Sequence, residues 1–247
     1  MGKISSLIRT AFSKKRFCSA VILAAGMGTR FSSDTPKQFF ELCGEPVILH
    51  TARAFQKSEL IDEIVVVTTK SDCERVRVML KSHGIDKLTR VVEGGERRMD
   101  SAKNGFEAVN PECDFVAIHD AARCLVTPDM IEAAFEAAFV NKAAACATVC
   151  TDTLKKSNSA DMIVETVDRT NMWQVQTPQV FDANMYRAAL YYAEKDGTNY
   201  TDDCGLCEKL GFKIKLVDTG RTNIKITYPE DVIIAEAILR ARRNGQV

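Results

Sequence analysis

This sequence of 247 residues lacks long apolar runs and an excess of either charge. No segment approaches the roughly 18 consecutive apolar residues that a membrane-spanning helix needs, so we expect a soluble protein. The 33 basic and 33 acidic residues give a formal net charge of zero, which excludes a global field that would draw the chain to nucleic acid or an anionic membrane. Recognition of a phosphate group must therefore depend on cations placed locally.

Histidine is scarce, and the cysteines do not form a regular framework. Nine cysteines are an odd number without the spacing of a disulfide-bonded domain, which favours a reducing, cytoplasmic location. The C-x-x-C motif from Cys204 to Cys207 has no second C-x-x-C with which to complete a zinc site, and the three histidines lie far away in sequence. We interpret these two cysteines as helix-borne inert thiols, and Cys146 and Cys150 as equally inert.

The N-terminal segment 1–17 carries several cations and no acid. It resembles a transit peptide or a membrane-surface helix, and Met1-Gly2 followed by Ser6 matches the start of a myristoylation signal. The simplest interpretation is a basic extension that precedes one domain over residues 18–247, with targeting to an organelle left open.

Strands and helices alternate from residue 18 to residue 150. Short β-branched or apolar runs, of the kind buried in parallel sheets, occupy 19–25, 61–69, 90–95, 114–120 and 143–150. Helical patterns lie between them, at 46–57, 71–83, 99–109 and 128–142. Thr127 is the N-cap expected for the last of these helices and Pro128 its first residue. The alternation predicts a doubly wound, mostly parallel α/β sheet of the Rossmann-like kind.

The alternation ends after residue 150. Residues 151–176 contain period-2 stretches around a polar turn rich in lysine and serine, which predicts a protruding β-hairpin. Because an isolated hairpin is marginal in water, we expect this arm to pack on a second subunit and form a homodimer. Further elements are predicted as helices at 182–195 and 203–211, a strand at 212–217 and an amphipathic helix opened by 229–231.

The segment ILAAGMGTRFSSDTPKQF, residues 22–39, carries the first ligand motif. Its Gly26-x-Gly28 pair is followed by Phe31 where a dinucleotide fingerprint needs a third glycine, and the Walker pattern G-x-x-x-x-G-K-[ST] is absent as well. Small residues let backbone N–H groups approach phosphate oxygens, and Arg30 and Lys37 can then close on the anion. The loop follows the first strand, at the edge where such sheets bind ligands, so we predict a phosphate-binding loop and exclude a Rossmann oxidoreductase.

Several motifs in register give the sequence a resemblance to a known family. LAAGMGTRF and PKQF resemble the signature of sugar-nucleotide-type nucleotidyltransferases. The later motifs are GGERRMDSAKNG (94–105), HDAAR (119–123), TVDRTNMW (166–173), QTPQVF (176–181), TDD (201–203) and NIKITYPED (223–231). Over residues 19–245 the set resembles the 2-C-methyl-D-erythritol 4-phosphate cytidylyltransferase family. The resemblance implies transfer of CMP from CTP to the phosphate of methylerythritol phosphate, with release of pyrophosphate, in isoprenoid precursor biosynthesis.

The resemblance also implies roles for individual residues. The substrate phosphate attacks the α-phosphorus of CTP, so no protein nucleophile is needed and catalysis consists of positioning and charge neutralisation. The implied catalytic residues are Arg30, Lys37, Arg169 and Lys225. The residues implied in nucleotide binding are Ala24, Ala25, Gly26, Gly28, Gly94, Gly95, Ser101 and Asp120. The residues implied in binding the second substrate are Arg123, Thr153, Thr177 and Thr201.

Some of these assignments stay open. Asp120 suits a Mg²⁺ carried by CTP, because Mg²⁺ prefers one or two carboxylates with phosphates and waters, but it could also contact the erythritol hydroxyls. Glu96 stands where the family commonly has aspartate, and Cys124 where it has proline. His119 is interpreted as a packing residue. For Arg169 and Lys225 the alternative role is a surface ion pair, with Asp168 or Asp231.

Two other functions remain as alternatives. The first is ribitol 5-phosphate cytidylyltransfer, whose enzymes resemble this chain but have LAGG and HDAVRP; LAAG, HDAAR and TVDR favour methylerythritol phosphate. The second is a non-catalytic nucleotide-binding module, against which the presence of Arg30, Lys37, Arg169 and Lys225 together argues.

Overall fold

The computed structural model describes residues 15–26, 36–198 and 200–246, and the fold is centred on a seven-stranded sheet among those residues. Gly28, Arg30 and residues 1–14 of the N-terminal segment lie outside the described residues. In chain order the strands are β1 (Cys18–Leu23), β2 (Glu41–Leu42), β3 (Glu45–Pro46), β4 (Glu63–Thr68), β5 (Leu88–Glu93), β6 (Phe115–Asp120), β7 (Ala143–Val149), β8 (Leu154–Ser157), β9 (Ile163–Val167), β10 (Trp173–Asp182) and β11 (Lys215–Asp218).

The helices alternate with the strands as the sequence predicts up to residue 149. They are α1 (Val47–Lys57), α2 (Cys73–Ser82), α3 (Arg98–Glu107), α4 (Pro128–Asn141), α5 (Ala183–Asp196), α6 (Asp203–Lys209) and α7 (Glu230–Arg243). The predicted start of α4 is confirmed, since the side chain of Thr127 accepts a hydrogen bond from the backbone of Met130 and Pro128 is the first helical residue. Among the described residues, no helix combines the length and the apolar composition that crossing a membrane requires.

The strand order of the main sheet is β11-β7-β10-β6-β1-β4-β5, with parallel pairing around β1. Leu23 at the end of β1 stands beside Val67 of β4 and Asp120 of β6, so the carboxyl ends of these strands meet at one edge. The chain leaves β1 toward β4 on one side and reaches β6 on the other, which makes this edge the switch point where such sheets bind ligands. The predicted α/β fold with a mostly parallel sheet is confirmed.

Apolar clusters cover both faces of this sheet. Successive strand residues point to opposite faces, so Ile22 joins the cluster under α1, α2 and α4, while Val21 joins the cluster under α3, α5 and α6. Gly105 of α3 lets that helix approach β1 closely, since an added Cβ would lie 2.3 Å from Cγ1 of Val21. This close approach fixes the distance of α3 from the sheet. The first turn of α3 faces the switch point.

The largest difference from the sequence prediction is β10. The sequence predicts that the hairpin extends through residue 176, whereas Trp173–Asp182 form one strand that lies antiparallel between β6 and β7. The sequence does not indicate this strand because it contains the polar residues Gln176 and Gln179. Both are buried in the strand, where their amides hydrogen bond with other parts of the fold. The predicted strand at 212–217 also begins later, at Lys215.

The predicted hairpin itself is confirmed. β8 and β9 pair antiparallel as a separate two-stranded sheet, with Leu154 opposite Val167. Its far end carries the exposed apolar side chains of Met162, Ile163 and Val164. The same chain runs from the base of the hairpin directly into β10.

Candidate active site

A cavity of about 590 Å³ lies at the carboxyl ends of β1, β4, β5 and β6. It brings together nine of the residues that the sequence predicts for the site: Ala24, Ala25, Gly26, Lys37, Gly94, Gly95, Ser101, Asp120 and Lys225. They come from five separate segments of the chain, which the fold brings together at this edge of the sheet. Two further predicted residues, Gly28 and Arg30, lie outside the described residues.

Lys37 lines the cavity from a short 3-10 turn, Lys37–Phe39. Phe39 anchors this turn, because its ring is buried in the core and the guanidinium of Arg75 stacks 3.8 Å from the ring centroid. The next residue accepts a hydrogen bond at its carbonyl from the backbone N–H of Val47, at 2.9 Å. The lysine is therefore attached to a well-packed base at the mouth of the cavity.

The glycine pair after β5 leaves no room for a side chain. A Cβ on Gly94 would lie 2.5 Å from Cβ of Ala25 and 2.8 Å from Oγ of Ser101. A Cβ on Gly95 would lie 2.3 Å from Cβ of Asp100, the residue whose carboxylate caps the start of α3. The hydroxyl of Ser101 accepts a hydrogen bond from the backbone N–H of Gly95 at 3.1 Å. Ser101 therefore shapes the glycine turn and lines the cavity at the same time.

Asp120 lies at the centre of the charged groups. Its Oδ1 accepts a hydrogen bond from Nε of Arg98 at 3.0 Å, and its Oδ2 accepts one from Nζ of Lys225 at 2.6 Å. Burial would raise the pKa of Asp120, but the nearby charges of Arg98 and Lys225 outweigh it and hold the pKa well below its usual range. The carboxylate is therefore ionised at neutral pH. The alternative surface pair of Lys225 with Asp231 is wrong, since Asp231 accepts from the backbone N–H groups of Thr227 and Tyr228, just before α7.

Arg98 joins Asp120 to a second buried carboxylate. Its Nη1 donates to Oδ2 of Asp203 at 2.6 Å, while the hydroxyl of Tyr186 donates to the other oxygen of Asp203 at 2.6 Å. The backbone N–H of Asp203 donates to the side-chain oxygen of Gln179 in β10, at 3.1 Å. Burial lowers the pKa of Arg98, but the carboxylates of Asp203 and Asp120 reverse the effect and raise it, so Arg98 is permanently charged.

His119 and Thr177 support Asp120 from behind. The backbone N–H of Asp120 donates to Oγ1 of Thr177 at 3.0 Å, and this hydroxyl lies 3.1 Å from Nδ1 of His119. Burial lowers the pKa of His119 to about 3, so the ring is neutral. With Nε2 protonated, 3.3 Å from the carbonyl of Arg123, Nδ1 accepts the proton of Thr177. His119 is fully buried against Phe55, in agreement with its interpretation as a packing residue.

The remaining residues predicted for the second substrate do not line this cavity. Arg123 is directed to the carbonyl of Asn223, to which its Nη1 donates at 2.9 Å. Thr153, Arg169 and Thr201 are exposed, and Arg169 donates to the carbonyl of Thr151 at the base of the hairpin rather than to Asp168. Thr177 directs its hydroxyl to Asp120, as described. Within one chain, the described residues therefore form the nucleotide side of the predicted site more fully than the acceptor side.

The carboxylate of Asp120 fits a divalent cation that takes most of its ligands from elsewhere. Among the described residues, no group of three or more His, Cys, Asp or Glu side chains could hold a metal by itself. Each oxygen of Asp120 accepts one described hydrogen bond and can accept a further ligand, and the residue lines the cavity. Such a donor suits a Mg²⁺ whose other ligands are phosphate oxygens and waters.

Cys204 and Cys207 lie on α6 as buried free thiols, as predicted. Burial raises the pKa of both, which keeps them protonated and unreactive. Cys146 is also a buried free thiol but lies in β7, and burial raises its pKa to about 12.

Sequence reasoning missed Arg98 and Asp203, although both lie inside motifs that it quoted. Arg98 is the second arginine of GGERRMDS, and Asp203 is the last residue of TDD. The signal in the sequence that could have identified them is that each is a charged residue inside a motif whose other members have predicted roles in the site. Their pairing over 105 positions of sequence follows only from the fold.

Comparisons with known proteins agree with these motifs. Residues 18–241 match the family model described as 2-C-methyl-D-erythritol 4-phosphate cytidylyltransferase. A relative of that name from Caldanaerobacter subterraneus subsp. tengcongensis is 42% identical over 223 residues, which cover 90% of this chain and 98% of the relative. Another from Alkaliphilus oremlandii is 38% identical over 229 residues, which cover 92% of this chain and 97% of the relative.

A solved structure shares the fold as well. The crystal structure of 4-diphosphocytidyl-2C-methyl-D-erythritol synthase from Anaerococcus prevotii superposes with a TM-score of 0.81 at 31% sequence identity. The superposition covers 92% of this chain and 97% of that chain.

Proposed function

Because the chain belongs to the 2-C-methyl-D-erythritol 4-phosphate cytidylyltransferase family, we propose that the cavity around Asp120 is its active site. The reaction transfers CMP from CTP to 2-C-methyl-D-erythritol 4-phosphate, giving 4-diphosphocytidyl-2-C-methyl-D-erythritol and pyrophosphate in isoprenoid precursor biosynthesis. The observation that carries the assignment of the site is the meeting of a close-packed glycine turn, the lysines Lys37 and Lys225 and the ionised carboxylate of Asp120 at the switch point of the sheet.

The nucleotide binds along the strand ends. Backbone groups of Ala24, Ala25 and Gly26 face the triphosphate. Gly94, Gly95 and Ser101 receive the cytosine ring, because a turn without side chains lets a base edge approach the backbone, whose carbonyl oxygens can accept from the cytosine amino group. Glu93 and Glu96 also line this part of the cavity and disfavour an additional phosphate there.

The chemical step needs charge placement rather than a protein nucleophile. A phosphate oxygen of methylerythritol phosphate forms a bond to the α-phosphorus of CTP, and the bond from that phosphorus to the bridging oxygen of the β-phosphate breaks as pyrophosphate leaves. Lys37 neutralises the charge that develops on the phosphoryl oxygens, and the motif in residues 22–39 assigns the same role to Arg30. Lys225 exchanges its contact with Asp120 for the attacking phosphate, which it holds in line.

A divalent cation accompanies CTP at Asp120. Mg²⁺ supplies neutralisation of the triphosphate charge when it is bound. Asp120 contributes the protein carboxylate, and Thr177 holds the backbone of Asp120 in place through the hydrogen bond to its N–H.

The acceptor side of the site is completed by a second subunit. Thr153 and Arg169 lie at the base of the hairpin, outside the cavity of their own chain, and Met162, Ile163 and Val164 give the hairpin an exposed apolar end. A hairpin with such an end gains stability by packing on another protein surface. In a homodimer this places Arg169, whose paired N–H donors suit a phosphomonoester, at the partner's cavity.

A cytoplasmic location is consistent with the cysteines. All nine are free thiols, as expected for a protein that functions in a reducing compartment.

The function is tested by measuring pyrophosphate release from CTP with Mg²⁺ and one of two acceptors, methylerythritol phosphate or ribitol 5-phosphate. We expect release with methylerythritol phosphate and little with ribitol 5-phosphate. Preference for ribitol 5-phosphate would change the substrate assignment, and no release with either acceptor would make the protein a nucleotide-binding module.

A further inference from the structure

The carboxylate of Asp203 has no role in the reaction as described so far, yet it is built into the site. Asp203 is 2% exposed, and each oxygen of its carboxylate accepts a short hydrogen bond, one from Arg98 and one from Tyr186. Gln179 holds its backbone N–H from the central strand β10. A buried carboxylate is costly unless it is paired, so its presence behind the cavity requires an explanation.

The balance of four charged groups, of which Asp120 is one, suggests an explanation. Asp120 and Asp203 are the carboxylates, Arg98 and Lys225 the cations, and Arg98 is shared between both carboxylates while Lys225 contacts Asp120 alone. The set is neutral as it stands. When Lys225 moves to the attacking phosphate, the other three groups carry one net negative charge, located at the cavity wall where a cation enters with CTP.

Without Asp203 this balance would change. Arg98 would then neutralise Asp120 fully, and the departure of Lys225 would leave no net charge to attract a divalent cation. The second carboxylate thus determines how much of the charge of Asp120 remains available, much as groups behind a metal ligand tune its affinity.

We propose that Asp203 is a positioning residue of this site, which by sharing Arg98 leaves Asp120 able to hold Lys225 and then the divalent cation delivered with CTP. The inference deepens the proposed function and rests on it. It differs from a purely structural role because it depends on the charge of Asp203 relative to that of Arg98, and not on the network being intact.

The test measures binding of Mn²⁺, as a probe for Mg²⁺, by electron paramagnetic resonance in the presence of methylerythritol phosphate and α,β-methylene-CTP, an analogue that cannot release pyrophosphate. Under these conditions Lys225 can move from Asp120 to the acceptor phosphate while Mn²⁺ binding is measured. We expect Asp203→Asn to weaken Mn²⁺ binding about tenfold, the lower end of the range for groups that act behind a metal ligand. The Mg²⁺ concentration for half-maximal pyrophosphate release should rise by a similar factor. The matched control is Asp202→Asn, which removes one charge from the adjacent residue; Asp202 contacts Gln179 and Gly205 but not Arg98, so binding should stay within about twofold.

A second variant separates charge balance from structure. Arg98→Gln combined with Asp203→Asn removes both partners of the outer pair and restores the net charge, so Mn²⁺ should bind about as tightly as to the wild-type protein. This double variant also answers the question if Asp203→Asn alone fails to fold. Wild-type binding in Asp203→Asn, or weak binding in the double variant, would overturn the proposal. Absence of pyrophosphate release from the wild-type protein would instead overturn the proposed function, which the Mn²⁺ measurement does not require.

Discussion

At the scale of single residues, Asp120 is the central group of the site. Its ionisation depends on two neighbouring cations. Burial raises the pKa of this carboxyl, and the charges of Arg98 and Lys225 lower it by more. Because the folded protein holds the pKa below the ordinary value of about 3.9, the unfolded chain binds a proton first as the pH falls. Ionised Asp120 therefore stabilises the fold above about pH 4, and this contribution is lost as the pH falls below that value.

Replacement of Asp120 by asparagine should reveal this dependence. At pH 7 we expect Asp120→Asn to lower the free energy of unfolding by about 1–3 kcal/mol, less than for a fully buried pair because the Lys225 side chain is 37% exposed. The difference from wild type should narrow as the pH falls from 4 toward 3, in urea unfolding followed by circular dichroism. The exposed Asp86 provides the control, since Asp86→Asn should change stability little at any pH. A constant difference between Asp120→Asn and wild type from pH 7 to pH 3 would contradict this account.

Lys37 is the residue at which chemistry rather than stability should respond. A cation positioned at the transferred phosphoryl group supplies transition-state stabilisation, so Lys37→Ala should lower kcat roughly 10²- to 10³-fold. Stopped assays of pyrophosphate release at saturating CTP measure this, and the melting temperature should change little. Lys57→Ala, at the exposed end of α1, is the control and should retain wild-type kcat. An unchanged kcat in Lys37→Ala would make this lysine a solvated loop cation.

At the scale of elements, the turn between β5 and α3 has a shape that only glycine permits. Gly94→Ala introduces a Cβ 2.5 Å from Cβ of Ala25, so it should destabilise the fold by about 1–3 kcal/mol and weaken CTP binding. Gly26→Ala is the matched variant, since a Cβ there has no neighbour within 4 Å in the described residues. It should leave stability unchanged but reduce kcat/KM on the order of 10- to 100-fold if the triphosphate packs on that backbone. Chemical unfolding and calorimetric CTP titration of both variants provide the measurements, and wild-type stability in Gly94→Ala would refute the steric argument.

Elements with a strong local pattern could be predicted from the sequence, and those that depend on distant partners could not. Thr127 and Pro128 mark the start of α4 by local chemistry alone. β10 could not be recognised in the same way, because Gln179 looks like a surface residue until its partner Asp202 and the backbone of α6 are in place. The same reason explains the site: motif residues facing the cavity could be identified, while the pairing of Arg98 with Asp203 needed the fold.

At the scale of the whole molecule, the hairpin predicts shared active sites in a homodimer. Lys37→Ala and Arg169→Ala subunits should each be impaired alone. In an equal mixture refolded together, one site of each hybrid dimer keeps both residues, so about a quarter of wild-type activity should return if subunits pair at random.

The control for this experiment comes from the cavity itself. Lys37 and Lys225 line the same cavity of one chain, so mixing Lys37→Ala with Lys225→Ala subunits should restore nothing. If activity is not restored in the first mixture either, each subunit builds its own acceptor site.

The place of β10 in the sheet has a consequence for biosynthesis of the chain. β1, β4, β5 and β6 all lie within residues 18–120 and can pair with one another as they leave the ribosome. One edge of β6 and both edges of β7 stay unpaired for longer, because their neighbours are β10 and β11, which are translated later. Until Asp182 has emerged, the nascent protein therefore presents unpaired, apolar strand edges, which are sites of aggregation and of chaperone binding. Translation pauses between residues 150 and 182 should lower the yield of folded protein more than pauses within the first 120 residues.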